Sequence, residues 1–183
     1  ERGTILNKMV LDGKVKMQSG DYDADLFEFT IDFLTRHGFD QYEVSNFTRD
    51  GKECIHNNAY WRYKDYISFG TSAHSFVDGK RWWNFSALNL YNAAIERNRH
   101  AVIGEESLTK NEMLEEYVML ALRSKGLDLA ELKNYFGKDW YQENKNFIDE
   151  LRQENFLTSK NDLLSFTPKG YAMCDEILAK FST

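Results

Sequence analysis

"FLTSKNDLLSFT", residues 156–167, decides how the second half of the chain folds. Apolar residues flank Asn161-Asp162, a pair that tolerates the left-handed backbone of a tight turn, so the stretch reads as a small hairpin. Pro168, the only proline, follows where a first helical residue tolerates a missing N–H, with Thr167 placed as its cap. Upstream, Asp139 is placed to cap a helix carrying Trp140, Phe147, Ile148 and Leu151. Asp128 and Glu131 open a shorter helix that Gly137 ends. Thr109-Lys110-Asn111-Glu112 is a capping-box pattern, opening a helix whose Leu114, Val118, Ala121 and Leu122 share a face and which Gly126 stops. Three helices, a two-stranded wing and a closing helix predict a winged-helix-like module over residues 104–183.

Winged helices often bind DNA, and the charges argue against that here. Residues 104–183 hold ten Lys plus Arg against fifteen Asp plus Glu, a balance of −5. The helix in the recognition position, "WYQENKNFIDELRQE" at 140–154, carries Glu143, Asp149, Glu150 and Glu154. A phosphate backbone would be repelled. A packing or partner-docking module is predicted, with no nucleic-acid partner.

Residues 1–103 have a different character. Tyr22, Leu26, Phe29 and Phe33 recur at helical spacing, predicting a buried helix over 21–38, capped by Asp21 or Asp23 and ended by Gly38. "QYEVSNF" at 41–47 and "YISFG" at 66–70 read as strands, with Tyr42 and Val44 on one face of the first and Asp50-Gly51 as a turn after it. "SFVDGKRWW" reads as a hairpin turning at Asp78-Gly79, with Trp82 and Trp83 as core residues. A helix over about 85–98 would set Leu88, Tyr91 and Ile95 on one stripe. This order predicts the end of an α/β unit rather than a complete domain.

The composition supports an ordered chain. Of 183 residues 42% are hydrophobic and 15% aromatic, ample material for a core. The net charge of −6 disfavours a general binder of nucleic acid or anionic membrane. No run approaches the roughly 18 apolar residues a membrane helix needs, and no signal-peptide pattern opens the chain. Cys54 and Cys174, 120 positions apart, suit a cytoplasmic protein with free thiols. Two cysteines fall short of a four-iron cluster or a cysteine-rich zinc site. The opening Glu1-Arg2-Gly3-Thr4, without methionine, reads as a piece of something longer.

Residues 55–85 concentrate the ligand-capable side chains: His56, His74 and three of the four tryptophans. In His56-Asn57-Asn58-Ala59-Tyr60-Trp61, an imidazole able to ligate haem iron stands beside two large aromatic faces suited to a porphyrin. Asn57 is placed to orient His56 through its second ring nitrogen. The plainer reading is a hydrogen-bonded histidine among core aromatics, and spacing alone favours it. His74, after Gly70 and three small residues, reads as a ligand, a proton donor, a substrate contact or a partner for a buried backbone group. Gly70-Thr71-Ser72 lacks the lysine and spacing of a phosphate loop.

Three blocks carry a resemblance that spacing does not supply: "YEVSNF" at 42–47, "HNNAYW" at 56–61 and "GTSAHS" at 70–75. Together they resemble the HemW family of radical-SAM haem chaperones, relatives of HemN, the oxygen-independent coproporphyrinogen III oxidase. Glu1-Arg2-Gly3-Thr4 resembles that family's E-x-G-T segment, and the acidic tail its C-terminal domain. The resemblance implies an α/β fold, with the last elements of a partial radical-SAM (β/α) barrel in residues 1–103 and a mostly helical winged-helix-like domain in 104–183. It implies haem contact by His56, Asn57, Tyr60 and Trp61, with His56 as metal ligand. A four-iron, four-sulfur cluster and S-adenosylmethionine are implied for the full-length protein. The family's C-x-x-x-C-x-x-C loop is missing here, so this chain is expected to be a C-terminal portion, not catalytic alone and carrying no catalytic residue. Haem or porphyrin and a haem-acceptor protein are the implied partners. Haem chaperone, oxidase and plain interaction module are the functions in play.

Overall fold

The computed structural model describes residues 3–181, so Glu1 and Arg2 of the opening segment lie outside the described residues. With 49% helix and 17% strand the fold is mixed α/β. Every strand pairing among the described residues is antiparallel.

The first part opens with α1 (Ile5–Leu11), which the sequence pattern did not signal; the Thr4 hydroxyl caps it by accepting from the Asn7 N–H at 3.1 Å. The predicted helix over 21–38 is α2 (Gly20–Arg36), capped by Ser19 rather than by Asp21 or Asp23. It is not buried. Ile31 is its one buried residue, while Tyr22, Leu26, Phe29 and Phe33 stand in solvent. The "QYEVSNF" strand breaks into β1 (Asp40–Gln41) and β2 (Phe47–Thr48), two short arms around a tight turn. Within that turn Tyr42 and Glu43 are both buried, so face alternation fails, and the Val44 N–H donates to the Arg123 carbonyl at 2.8 Å. This turn docks the first part on the second.

Next come α3 (Ile55–Trp61) and then Tyr66 to Gly70, which forms no strand: Tyr66 makes a single bridge to Phe76. The hairpin lies where the turn chemistry places it, with β3 (His74–Val77) and β4 (Lys80–Asn84) around Asp78-Gly79 at φ 49° and 73°. Trp82 and Trp83 are half-buried, not core. Helix α4 (Leu88–Asn98) starts three residues later than predicted and leaves Leu88 exposed.

The unpredicted strand β5 (Val102–Ser107) completes the sheet by pairing with β4, setting Gly104 opposite Trp83. A Cβ on Gly104 would come within 2.5 Å of the Trp83 ring, so the indole lies over the bare glycine backbone. Gly104→Ala is therefore expected to displace Trp83 and cost about 1–3 kcal/mol in urea unfolding. A cost below about 0.5 kcal/mol would show that the indole moves freely.

The second part follows its sequence signals closely. Helix α5 (Lys110–Leu122) begins with the full Thr109–Glu112 capping box and buries Leu114, Tyr117, Val118, Ala121 and Leu122. β6 (Leu127–Asp128) leads into α6 (Leu129–Phe136), where the Asp128 carboxylate accepts from the Ala130 and Glu131 N–H groups, both at 2.9 Å. Helix α7 (Trp140–Gln153) follows; Asp139 precedes it but caps nothing, because its carboxylate pairs with Lys133 at 3.0 Å. The wing has three strands rather than two: β7 (Leu157–Lys160) and β8 (Leu163–Phe166) turn at Asn161-Asp162, and β6 joins the edge of β8. The closing helix is broken at Met173 into α8 (Pro168–Ala172) and α9 (Cys174–Leu178), with Thr167 capping the first. Leu122, Leu127, Leu132, Trp140, Ile148 and Leu164 form the centre of one continuous core.

Candidate functional site

The H-N-N-A-Y-W stretch forms nearly all of α3, and a helix of 3.6 residues per turn divides its side chains. His56 and Tyr60, four apart, share one face; the imidazole is exposed and meets the Tyr60 ring edge-on at 4.8 Å between centroids. Tyr60 in turn meets Tyr66 edge-on at 4.4 Å. Among the described residues no hydrogen bond reaches either nitrogen of His56, and Asn57 does not orient it. The imidazole is thus free to ligate.

Trp61 leaves α3 on another side. It lines a cleft of about 820 Å³ between α3 and the second part, together with Asn58, Tyr63, Tyr117, Ser124 and Lys125. That volume falls in the range of small-molecule sites. The indole Nε1 is buried there with no hydrogen-bond partner. The four residues singled out by sequence therefore sit on one helix but do not converge on a single cavity: His56 and Tyr60 face one way, and Trp61 borders the cleft.

His74 opens β3 exposed, with Nδ1 3.0 Å from the Ser72 carbonyl and its ring stacked on Trp83 at 5.9 Å. The carbonyl it meets is exposed, not the buried backbone group the plainer reading expects.

Sequence reading missed the polar joint beside the cleft. The Arg81 guanidinium on β4 donates to Glu116 of α5 at 2.7 Å and to Glu106 of β5 at 2.9 Å, and the Tyr63 hydroxyl donates to Glu116 at 3.2 Å. The bond to Glu116 raises the Arg81 pKa above its already high value. Burial, and then the Glu116 charge, push the Tyr63 phenol up. Both shifts keep the guanidinium charged and the phenol neutral. Tyr171, half-buried and near Glu43, is pushed up to about 12, first by desolvation, and donates to the Ser124 carbonyl. These pairs span up to 53 positions, and no local pattern announces them.

Residues 108–173 match the model of the HemN C-terminal domain. The heme chaperone HemW of Lactococcus lactis subsp. lactis is 31% identical over 170 residues, covering 92% of this chain and 44% of the relative. The chain is thus similar to a heme chaperone HemW along nearly its whole length. The heme chaperone HemW of Mycobacterium tuberculosis is 30% identical over 97% of this chain and 44% of its own length. Radical S-adenosyl methionine domain-containing protein 1, mitochondrial, of Danio rerio is 31% identical over 97% of this chain and 43% of its own length. Among solved structures, coproporphyrinogen III oxidase HemN from Escherichia coli, a radical SAM enzyme, superposes with a TM-score of 0.68 over 91% of this chain and 42% of that one. At 19% identity that likeness shows a shared fold. The chain spans about half the length of the curated relatives it matches.

Proposed function

We propose that this chain is the haem-handling and C-terminal portion of a longer radical-SAM protein acting as a haem chaperone, with His56 as the iron ligand. The observation that carries the reading is the exposed imidazole of His56, without a protein hydrogen bond, at the head of the H-N-x-x-Y-W helix. Relatives named as heme chaperones that match nearly the whole chain support it. Haem, when bound, supplies an iron centre that an imidazole ligates. His56 offers an imidazole nitrogen, and Tyr60, backed by Tyr66, offers an aromatic wall beside it. Asn57 and Trp61 remain haem contacts in this reading only if haem spans the end of α3.

The cluster fits this chain poorly. Cys54 is exposed at the head of α3, whereas Cys174 is buried in the module core, where burial pushes its thiol up. Cluster and S-adenosylmethionine are accordingly assigned to the remainder of the longer protein, and the chain alone is proposed to be non-catalytic. The uncovered apolar stripe of α2 fits a family whose members are about twice as long. The division between the two parts is proposed at 107/108, because β5 belongs to the β3–β4 sheet and the HemN C-terminal match begins at residue 108. We propose a cytoplasmic location, delivery to an acceptor protein and no DNA partner. The oxidase reading rests on fold likeness and on the HemN C-terminal domain match, a stretch that heme chaperone relatives also span.

Haem titration of the full-length protein tests the assignment. His56→Ala is expected to move the Soret band and speed haem loss by about tenfold or more. His74→Ala should leave both as they were. An unchanged Soret position and affinity in a folded His56→Ala protein would refute His56 as ligand.

A further inference from the structure

On the back of α3, about 200° around the helix from His56, sits Asn58. Its amide donates to Glu53 Oε2 at 2.9 Å, and the same oxygen receives Lys125 Nζ at 2.7 Å. The Lys125 ammonium, ahead of other causes, holds the Glu53 carboxyl below the usual carboxylate range. Lys125 is itself fixed by the wing, because the Ser165 hydroxyl of β8 donates to its backbone carbonyl at 3.1 Å. A polar chain therefore runs from wing to Lys125, to Glu53, to Asn58 and so into the haem helix.

We propose that Glu53, Asn58 and Lys125 are positioning residues, a clamp by which the winged-helix module sets the roll of α3 and hence the direction of His56. The proposal rests on the haem reading of His56. None of the three touches the imidazole, and none needs to. A seven-residue helix makes few internal bonds, and no side chain caps this one, so its orientation has to be supplied from outside. The Tyr63–Glu116–Arg81 joint anchors the chain just after α3, while the clamp anchors its middle. With both anchors in place, Tyr60 packs on Tyr66 and the His56 imidazole stays exposed. The module would then serve haem handling by holding the ligand helix, a role its acidic surface permits and DNA binding does not.

The test uses the full-length protein and two readouts. The first is the emission of Trp61 in haem-free protein, isolated as the difference from Trp61→Phe. The second is the rate of haem loss. Lys125→Glu, which sets two carboxylates against each other, is expected to shift Trp61 emission to the red and to speed haem loss about tenfold. The Soret position should stay that of an imidazole complex, since His56 remains. The double variant Glu53→Lys with Lys125→Glu restores the pair, with the Asn58 amide flipped to accept, and should return both readouts to within about twofold of the parent. Asn58→Ala should give the same shifts at smaller amplitude, and it carries the test should Lys125→Glu not fold. Unchanged emission and haem loss in the single variants, or no rescue by the double, would overturn the clamp. Indifference of haem to His56→Ala would sink the ligand reading instead, and the haem-free emission would still decide the clamp.

Discussion

Trp140→Ala is expected to cost the winged-helix module about 3–5 kcal/mol. Trp140 opens α7 with 0% of its surface exposed, and its ring meets that of Phe181 at 4.9 Å. Around it lie the other fully buried members of the core, Leu132 and Ile148 among them. Truncation removes the largest fully buried side chain among the described residues and leaves a cavity that α6, α7 and the C-terminal segment would have to fill. The indole N–H has no partner among the described residues, so alanine relieves one unmet donor, worth about 1–3 kcal/mol, which sets the net cost toward the lower end of the expected range. Trp140→Phe keeps most of the apolar volume and removes the donor, and should cost less than half as much. Chemical denaturation of the two variants checks this. Near-equal costs for alanine and phenylalanine would show that the cavity collapses and that packing at Trp140 is looser than its burial implies.

The ease with which Trp140 is found in the sequence shows what was legible. The second part is written in local chemistry: Thr109 with Glu112, Asp128 before α6, Asn161-Asp162 in the wing and Thr167-Pro168 at α8 each lie within four residues of what they shape. Such signals survive reading one stretch at a time. The first part is organised by contacts across long separations. The apolar stripe of α2 has helical period, but period tells only that a face exists, not that it is covered. β5 reads "VIGEES", with a glycine in its middle and acids at its end, and becomes a strand because Trp83 needs a bare backbone opposite it. "YEVSNF" alternates like a strand, yet adjacent Tyr42 and Glu43 are both buried and the Val44 N–H bonds to the end of α5, which makes it a docking loop.

The site divides in the same way. His56 and Tyr60 stand out because imidazole and aromatic rings at helical spacing are rare and chemically specific. Glu53, Asn58 and Lys125 are ordinary polar residues whose meaning lies in one shared oxygen atom across 72 positions of chain. A sequence met alone offers no reason to join them. The resemblance singles out His56, and the structure adds the polar contacts behind its helix.

Gly170→Ala is the sharpest test of how tightly the module closes. Gly170 is buried inside α8 with an ordinary helical backbone, so conformation alone would welcome alanine, worth up to about 1 kcal/mol of helix propensity. Space forbids it. A Cβ would fall under 3.0 Å from the carbonyl oxygen of Phe156 and reach 2.8 Å from Cδ1 of the Phe166 ring. That carbonyl cannot retreat easily, because it already accepts the Thr167 N–H at 3.0 Å and the Thr167 hydroxyl at 3.3 Å. The same hydroxyl caps α8 by accepting from the Gly170 N–H at 3.1 Å, so pushing the helix away strains its own cap. Relief requires α8 to lift from the wing, which loosens Tyr171 and Cys174 in the core behind it. The expected cost is about 3 kcal/mol, the upper end of overpacking penalties, and it exceeds the propensity gain. Gly20→Ala is the matched control: it too is helical, with no atom within 4 Å of the added methyl, and should be neutral or slightly stabilising. Urea midpoints of the two variants against the parent decide the matter. Equal, small effects at both positions would mean that α8 does not press on Phe156 as closely as the geometry requires.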